Sequence, residues 1–165
     1  MVEKEAQQDI KKYSMQIDST SALNLVLQQN SVALIRKILL SSKEVLSSSR
    51  IIIRSNPEYF KEHVINIAYL DADQTLALEK PKLVFDIQFL QELPENLKGQ
   101  IEIIWVTDQD QILDEKVIEI DLLTVDTWGG ERQPIELLTS FSQPNATALS
   151  PILVSASEIL KSNNA

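Results

Sequence analysis

The stretch "DQDQILDEKVIE" carries carboxylates at the spacing of a calcium-binding loop. Asp108, Asp110 and Glu119 fall at the first, third and twelfth positions of such a loop, where oxygen ligands surround the ion. The fifth and sixth positions are Ile112 and Leu113, although the sixth needs glycine for its sharp turn. We therefore interpret the segment as an acidic hairpin tip that opposes edge-to-edge pairing of a sheet. Cation binding by this turn is the alternative.

A catalytic triad in this chain would depend on His63, the single histidine of the sequence. Glu58 and Glu62 lie near it in sequence, but no serine stands in the glycine-flanked turn of a nucleophile elbow. Cysteine is absent, which excludes disulfides, thiolate metal sites and a cysteine nucleophile. We therefore interpret His63 as a solvated residue at a strand edge. The sequence predicts no catalytic residue and no metal site in this chain.

Recognition of phosphate groups is also disfavoured. Neither glycine motif that cradles phosphates, G-x-x-x-x-G-K-[ST] or G-x-G-x-x-G, occurs in the sequence, which predicts no nucleotide cofactor and no enzyme activity. Residues 1–82 carry 11 Lys/Arg and 10 Asp/Glu, whereas residues 83–165 carry 4 and 14. Because so acidic a second half repels a phosphate backbone, we expect no nucleic-acid binding. Five basic residues of the first half form either a small patch or a solvated face: Arg36, Lys37, Lys43, Arg50 and Arg54.

No apolar run approaches the roughly 20 residues of a membrane span, and the N-terminus lacks the apolar core of a signal peptide. The sequence therefore predicts a cytoplasmic protein without membrane contact.

Residues 16–125 contain seven short apolar runs, most of them alternating and separated by polar turns. They are "LNLVL", "VALIRKILL", "RIIIR", "VINIAY", "LVFDIQF", "QIEIIWV" and "KVIEIDLLTV". Alternating strands can bury one face only against a second sheet, which predicts a mainly β fold, a seven-stranded antiparallel β-sandwich of immunoglobulin or fibronectin type. The "LVFDIQF" run is the clearest predicted strand, and "FLQELPENLKG" is predicted as a helical or irregular crossover. The predicted core contains Leu25, Ile38, Ile67, Phe85, Ile87, Trp105 and Ile120.

The two ends of the chain follow different patterns. Residues 1–15 have apolar residues at helical spacing, which predicts a linker or a short helix. Residues 126–165 are predicted as an elbow followed by C-terminal helices. Glycine adopts positive φ without strain, so Gly129 and Gly130 are predicted to form the chain reversal between sandwich and helices. The other predicted elbow residues are Trp128, as an aromatic anchor, and Pro134, at the start of a helix. Leu137, Leu138 and Phe141 form a possible interaction face.

This elbow carries a resemblance to a known family. After "DTWGG" come a short gap, "PIELLTSF", "PN" and the helical pattern "ILVSASEIL". The distinctive residues are Trp128, Gly129, Gly130, Pro134, Leu137, Leu138, Phe141, Pro144 and Asn145. Together with the upstream "LNLVLQQNSVALIRKILL", the pattern over residues 18–161 resembles the N-terminal region of very large bacterial proteins. Those proteins also carry a superfamily-1 helicase-type ATPase and a restriction-endonuclease-like domain. None of their catalytic motifs lies in this chain.

The resemblance implies a non-catalytic scaffolding or interaction module of a helicase/nuclease-like protein of the phage-defence type. Its partners would be other domains of that larger protein or a separate protein. The alternative is a stand-alone acidic adaptor, or an immunity-type binding protein, that presents its acidic face to a basic partner.

Overall fold

The computed structural model describes residues 11–127, which are mainly β, with 52% of residues in strands and 9% in helices. Two elements are short helices, α1 and α2, and eight are strands. In chain order the elements are β1 (Tyr13–Ser19), β2 (Ala22–Leu23), α1 (Leu25–Gln29), β3 (Ile35–Ser42), β4 (Ser49–Asn56), β5 (His63–Ile67), β6 (Thr75–Glu79), α2 (Ile87–Gln91), β7 (Leu97–Thr107) and β8 (Ile112–Leu122). No helix within 11–127 has the length and apolar character to cross a membrane.

The strands form two sheets. One sheet has three strands in the order β1-β3-β6, and the other has five in the order β2-β8-β7-β4-β5. Neighbouring strands run antiparallel, except that the two-residue β2 pairs parallel with β8. The sequence prediction is therefore confirmed in its coarser form, a mainly β chain with two sheets. The predicted count of seven is not confirmed, because residues 11–127 contain eight strands.

Both sheets contribute to one hydrophobic core. Met15, Ile38 and Leu40 come from the three-stranded sheet. The five-stranded sheet contributes Ile51, Ile53, Ile101, Ile103 and Trp105. The Tyr13 ring of β1 meets the Trp105 ring of β7 edge to face, with 6.0 Å between ring centroids. Edge-to-face packing is a preferred arrangement of two aromatic rings. The contact joins a strand of one sheet to a strand of the other.

Five of the seven predicted core residues are buried: Leu25, Ile38, Ile67, Trp105 and Ile120. Phe85 is only partly buried against the core, and Ile87 is 42% exposed, so the prediction for Ile87 was wrong. The physical reason is local. Asp86 caps helix α2 by accepting a hydrogen bond from the Phe89 amide at 3.0 Å, and the chain at Ile87 is helical instead of extended.

The predicted strand "LNLVL" was also wrong. Only Leu23 is in a strand, the two-residue β2, and the chain from Leu25 onward forms helix α1. Asn24 accepts a hydrogen bond from the Leu27 amide at 3.0 Å and so caps the first turn. Leu25 and Leu27, which alternate in the sequence, are both buried by this single helical turn.

Gly99, predicted to end the crossover, instead lies within strand β7 on its core-facing side. A Cβ atom there would lie 2.9 Å from Leu122 Cδ1 and 3.0 Å from Tyr59 Cε1. Glycine at this position thus allows the strand to approach both side chains closely.

Strand β1 begins at Tyr13, three residues before the predicted domain start, and β8 ends at Leu122. The predictions for residues 1–10 lie outside the described residues. So do those for Trp128, Gly129, Gly130, Pro134, Leu137, Leu138 and Phe141.

Candidate interaction surface

The outer face of the five-stranded sheet carries a row of aliphatic side chains. Side chains alternate along a strand, so Ile52, between the buried core residues Ile51 and Ile53, belongs to the face opposite the core. Ile52 stands opposite Val64 of β5 on one side and opposite Ile104 of β7 on the other. The row therefore crosses three neighbouring strands. Ile52 and Ile104 are half-buried, and neither belongs to the shared core.

Three further residues extend this row toward β8. Val106 stands opposite Ile112. Val117 stands opposite Glu102, which precedes Ile104 by two residues in β7. Val106 is buried but is not part of the shared core. We call the following six residues the apolar band: Ile52, Val64, Ile104, Val106, Ile112 and Val117. Val64 is 43% exposed, Ile112 56% and Val117 59%, so the band leaves much aliphatic surface open within the part of the chain that the structure describes.

Charged residues border the apolar band, and the two arginines among them have acidic partners. Arg54 bonds Glu62 at 2.7 Å and approaches Glu102 at 3.9 Å. Arg50, opposite Val106 in the ladder, pairs with Asp110 of the hairpin. A partner that binds the band would therefore contact aliphatic side chains. The arginines beside them are already paired with carboxylates.

The five basic residues of the first half do not form one patch. Arg50 and Arg54 lie on the five-stranded sheet, whereas the other three lie on or just after β3 of the three-stranded sheet. Each of those three has its own carboxylate partner: Arg36 with Asp18, Lys37 with Glu79 at 2.9 Å, and Lys43 with Asp73 at 2.8 Å. The Arg36 hydrogen bond lowers the pKa of Asp18. The interpretation as a solvated, paired surface fits this geometry better than a phosphate-binding patch.

A polar pocket of about 180 Å³ lies on the three-stranded sheet. It is bordered by three lysines and by serine and threonine hydroxyls, a composition that would suit an anion. Each lysine, however, is held by a carboxylate: Lys11 by Asp114 at 2.5 Å, Lys12 by Glu44 at 2.7 Å, and Lys43 by Asp73 at 2.8 Å. The pairing offsets the positive charge, so this pocket is a weaker candidate than the apolar band.

Only the first four residues of the acidic segment, 108–111, form the tip of the β7–β8 hairpin, and the rest of the segment lies in β8. The Thr107 amide donates to the Gln111 carbonyl at 2.9 Å, and Asp110 has a positive φ of 64° in the turn. Glu119 stands opposite Gln100, seven residues along β7 from Thr107, which is roughly 24 Å at the rise of a strand. Glu119 therefore cannot share an ion with Asp110, and the proposed twelve-residue calcium loop does not form.

His63 begins β5, the outer strand of the five-stranded sheet, and stands opposite Ile53. This placement agrees with the predicted position at a strand edge, although the side chain is half-buried. Within residues 11–127, no group of three or more histidine, aspartate or glutamate side chains is arranged to hold a metal ion.

Asp114 joins the two sheets at a buried position. The residue is 4% exposed, and its carboxylate accepts hydrogen bonds from the Met15 amide of β1 and the Glu115 amide, both at 2.8 Å. Lys11 adds a third bond at 2.5 Å. Burial of the carboxyl opposes ionisation, but the bonds from Lys11, Met15 and Glu115 outweigh it, so the pKa of Asp114 is lowered.

Asn24 holds the chain that follows β8. Its side-chain amide donates to the Thr127 carbonyl at 3.0 Å and to the Thr124 carbonyl at 3.4 Å, and the residue is fully buried. The same side chain caps α1 through Leu27. Residues 124–127 are therefore held beside the end of β8.

The apolar band was missed by the sequence prediction, although a signal for it was present. An alternating strand with one solvated face does not carry consecutive large apolar residues. The runs "RIIIR" and "IIWV" do carry them, and their alternate members Ile52, Ile104 and Val106 lie on the outer face.

No protein-family model matches the chain, and no curated protein matches it either.

Proposed function

We propose that this chain is a non-catalytic β-sandwich module that positions other parts of a larger protein, and that the apolar band is its contact surface. The band is the observation that carries the proposal. Several exposed aliphatic side chains on one face of a sheet are typical of a surface that meets a partner. A charged rim around an apolar centre is also the usual anatomy of a protein–protein contact.

The larger protein is proposed to be of the helicase/nuclease type, acting in the cytoplasm and in phage defence. The support for this part is the resemblance at the "DTWGG" elbow. The immunoglobulin- or fibronectin-like sandwich belongs to the same proposal, and it is supported by two sheets that share one core. In this proposal the chain positions the later domains, and those domains carry out catalysis.

The second candidate is an acidic adaptor that binds a basic protein. Glu115 and Glu119 are exposed on β8, on either side of Val117 and on the same face as the apolar band. A basic partner with an apolar centre would complement this end of the band.

The coding sequence downstream of the codon for Ala165 separates the two candidates. An uninterrupted reading frame that leads into superfamily-1 ATPase motifs supports the module. A stop codon directly after Ala165 contradicts it and supports the adaptor.

A second measurement tests the role of the apolar band in the natural protein. The Val64→Lys/Val117→Lys double variant is compared with Gln16→Lys, a change on the exposed outer side of the three-stranded sheet. We expect faster proteolysis beyond residue 127 in the double variant alone, at unchanged thermal stability of the β domain. Equal proteolysis in both variants would mean that the band positions nothing.

A further inference from the structure

We propose that the C-terminal segment of this chain, residues 128–165, docks on the apolar band. This inference rests on the proposed function, and it names the occupant of the surface. Through this contact the module would hold the segment that leads to later domains, and so set the direction in which they leave.

The last described residues lie beside the same sheet that carries the apolar band. Asn24 ties Thr127 beside the end of β8, which is a strand of the same five-stranded sheet. The ladder row that contains Ile104 and Glu115 lies seven residues from Leu122 along β8, roughly 24 Å at the rise of a strand.

The segment is long enough for this distance. Residues 128–165 number 38 and would span about 57 Å even if wholly helical. A turn after Thr127 and one or two helices can therefore return along the outer face and cover the band.

The composition of the segment suits an aliphatic surface. Apolar residues recur at helical spacing in two stretches, first Ile135, Leu138 and Phe141, and then Leu149, Leu153 and Leu160. Such a stripe, when helical, must be buried against another element. Only five of the 38 residues carry charge, namely Glu131, Arg132, Glu136, Glu158 and Lys161. A segment so poor in charge complements a band whose flanking arginines are already paired with Asp110, Glu62 and Glu102.

A second copy of the chain is the competing occupant. Strand β5 pairs with β4 alone within residues 11–127, and it carries Val64 of the apolar band. Two copies could therefore join at this edge and extend the row of aliphatic side chains. Such a contact depends on protein concentration, whereas docking of the chain's own segment does not.

The absence of cysteine allows a direct test by thiol labelling of the full chain. One variant carries Val117→Cys in the apolar band, and the matched control carries Gln16→Cys on the outer side of the three-stranded sheet. Val117 and Gln16 are both exposed in the described part of the chain. If the segment covers the band, we expect the Val117→Cys thiol to react with a maleimide at least about tenfold more slowly than the control. Equal rates at the two positions would overturn the proposal.

A second pair of variants asks what protects the thiol. Adding Leu138→Asp and Phe141→Asp to Val117→Cys should raise its labelling rate about tenfold and leave the control rate unchanged. The comparison of the two single-cysteine chains does not depend on the folding of this triple variant. Rates are measured at protein concentrations 50-fold apart. Protection that is the same at both supports docking within one chain, and protection that falls on dilution identifies a second copy and overturns the proposal.

These results separate the inference from the proposed function. If the Val117→Cys thiol reacts as fast as the control and the reading frame continues into ATPase motifs, docking is rejected but the module proposal is supported. A protected site in a chain followed by a stop codon would support docking and reject the larger parent protein.

Discussion

Replacement of Asp114 should show how much stability the buried link between the two sheets contributes. In the Asp114→Ala variant, the amide of Met15 loses its acceptor, and Met15 is only 2% exposed. A buried donor without a partner costs about 1–3 kcal/mol. The lost bond was charge-assisted, which places the expected loss at the upper end of that range, about 3 kcal/mol.

The ion pair with Lys11 should contribute much less. The Lys11 side chain is 57% exposed, although that of Asp114 is only 2% exposed. Solvent screens the Lys11 end of the pair, and screened ion pairs are typically worth no more than about 1 kcal/mol; after loss of Lys11 the two backbone amides still bind the carboxylate. Lys11→Met is therefore the matched control, with an expected loss below about 1 kcal/mol. Asp114→Asn keeps an acceptor oxygen for Met15 without the charge, and we expect an intermediate loss of about 1–2 kcal/mol.

Urea unfolding followed by circular dichroism measures these differences in the free energy of unfolding. Because the pKa of Asp114 is lowered in the folded state, its contribution is complete above the ordinary aspartate pKa, about 4. It declines as the pH falls through the lower folded value. The difference between wild type and Asp114→Asn should therefore shrink in acid. A loss for Lys11→Met as large as that for Asp114→Ala would refute the reasoning, since the ion pair with Lys11 would then be the main contribution.

Three further outcomes are expected. Gly99→Ala should lower the free energy of unfolding by about 1–2 kcal/mol in the same assay, because its methyl group would lie too close to Leu122 and Tyr59. Alanine also restricts the unfolded chain, which stabilises the folded state, but we expect this gain to be smaller than the cost of the close contacts. An unchanged or stabilised variant would contradict this packing argument. Replacing Gly129 and Gly130 with valine should lower the melting temperature and expose the chain to protease after residue 130, whereas wild-type behaviour would reject the elbow. The isolated chain should show no saturable ATP binding by calorimetry and no submicromolar binding to duplex DNA at physiological salt, and either activity would contradict the proposed function.

The two-sheet β fold could be predicted from the sequence because its long strands alternate over many residues. The two short helices could not, because five residues such as "LNLVL" satisfy a period of two and a single helical turn equally well. Asn24 and Asp86, each just before an apolar run, were the available signals for helix starts.

The apolar character of the band was partly predictable from the sequence, but the contacts between residues distant in sequence were not. Consecutive isoleucines in "RIIIR" indicate that both faces of β4 are apolar, but only the ladder shows that Ile52 stands beside Val64 and Ile104. The buried role of Asp114 depends on a contact with Met15, 99 positions earlier, and local sequence patterns do not encode contacts between such distant positions.

The strand order of the five-stranded sheet has a consequence for synthesis of the protein on the ribosome. β7 and β8, the last two of the described strands to be made, lie between β2 on one side and the earlier pair β4 and β5 on the other. The inner side of β4 therefore has no neighbour until residue 97 and those after it have been translated. The core stays open until then, since Trp105 and Ile120 are missing from it. The β domain therefore closes only after translation has passed the end of β8 at Leu122.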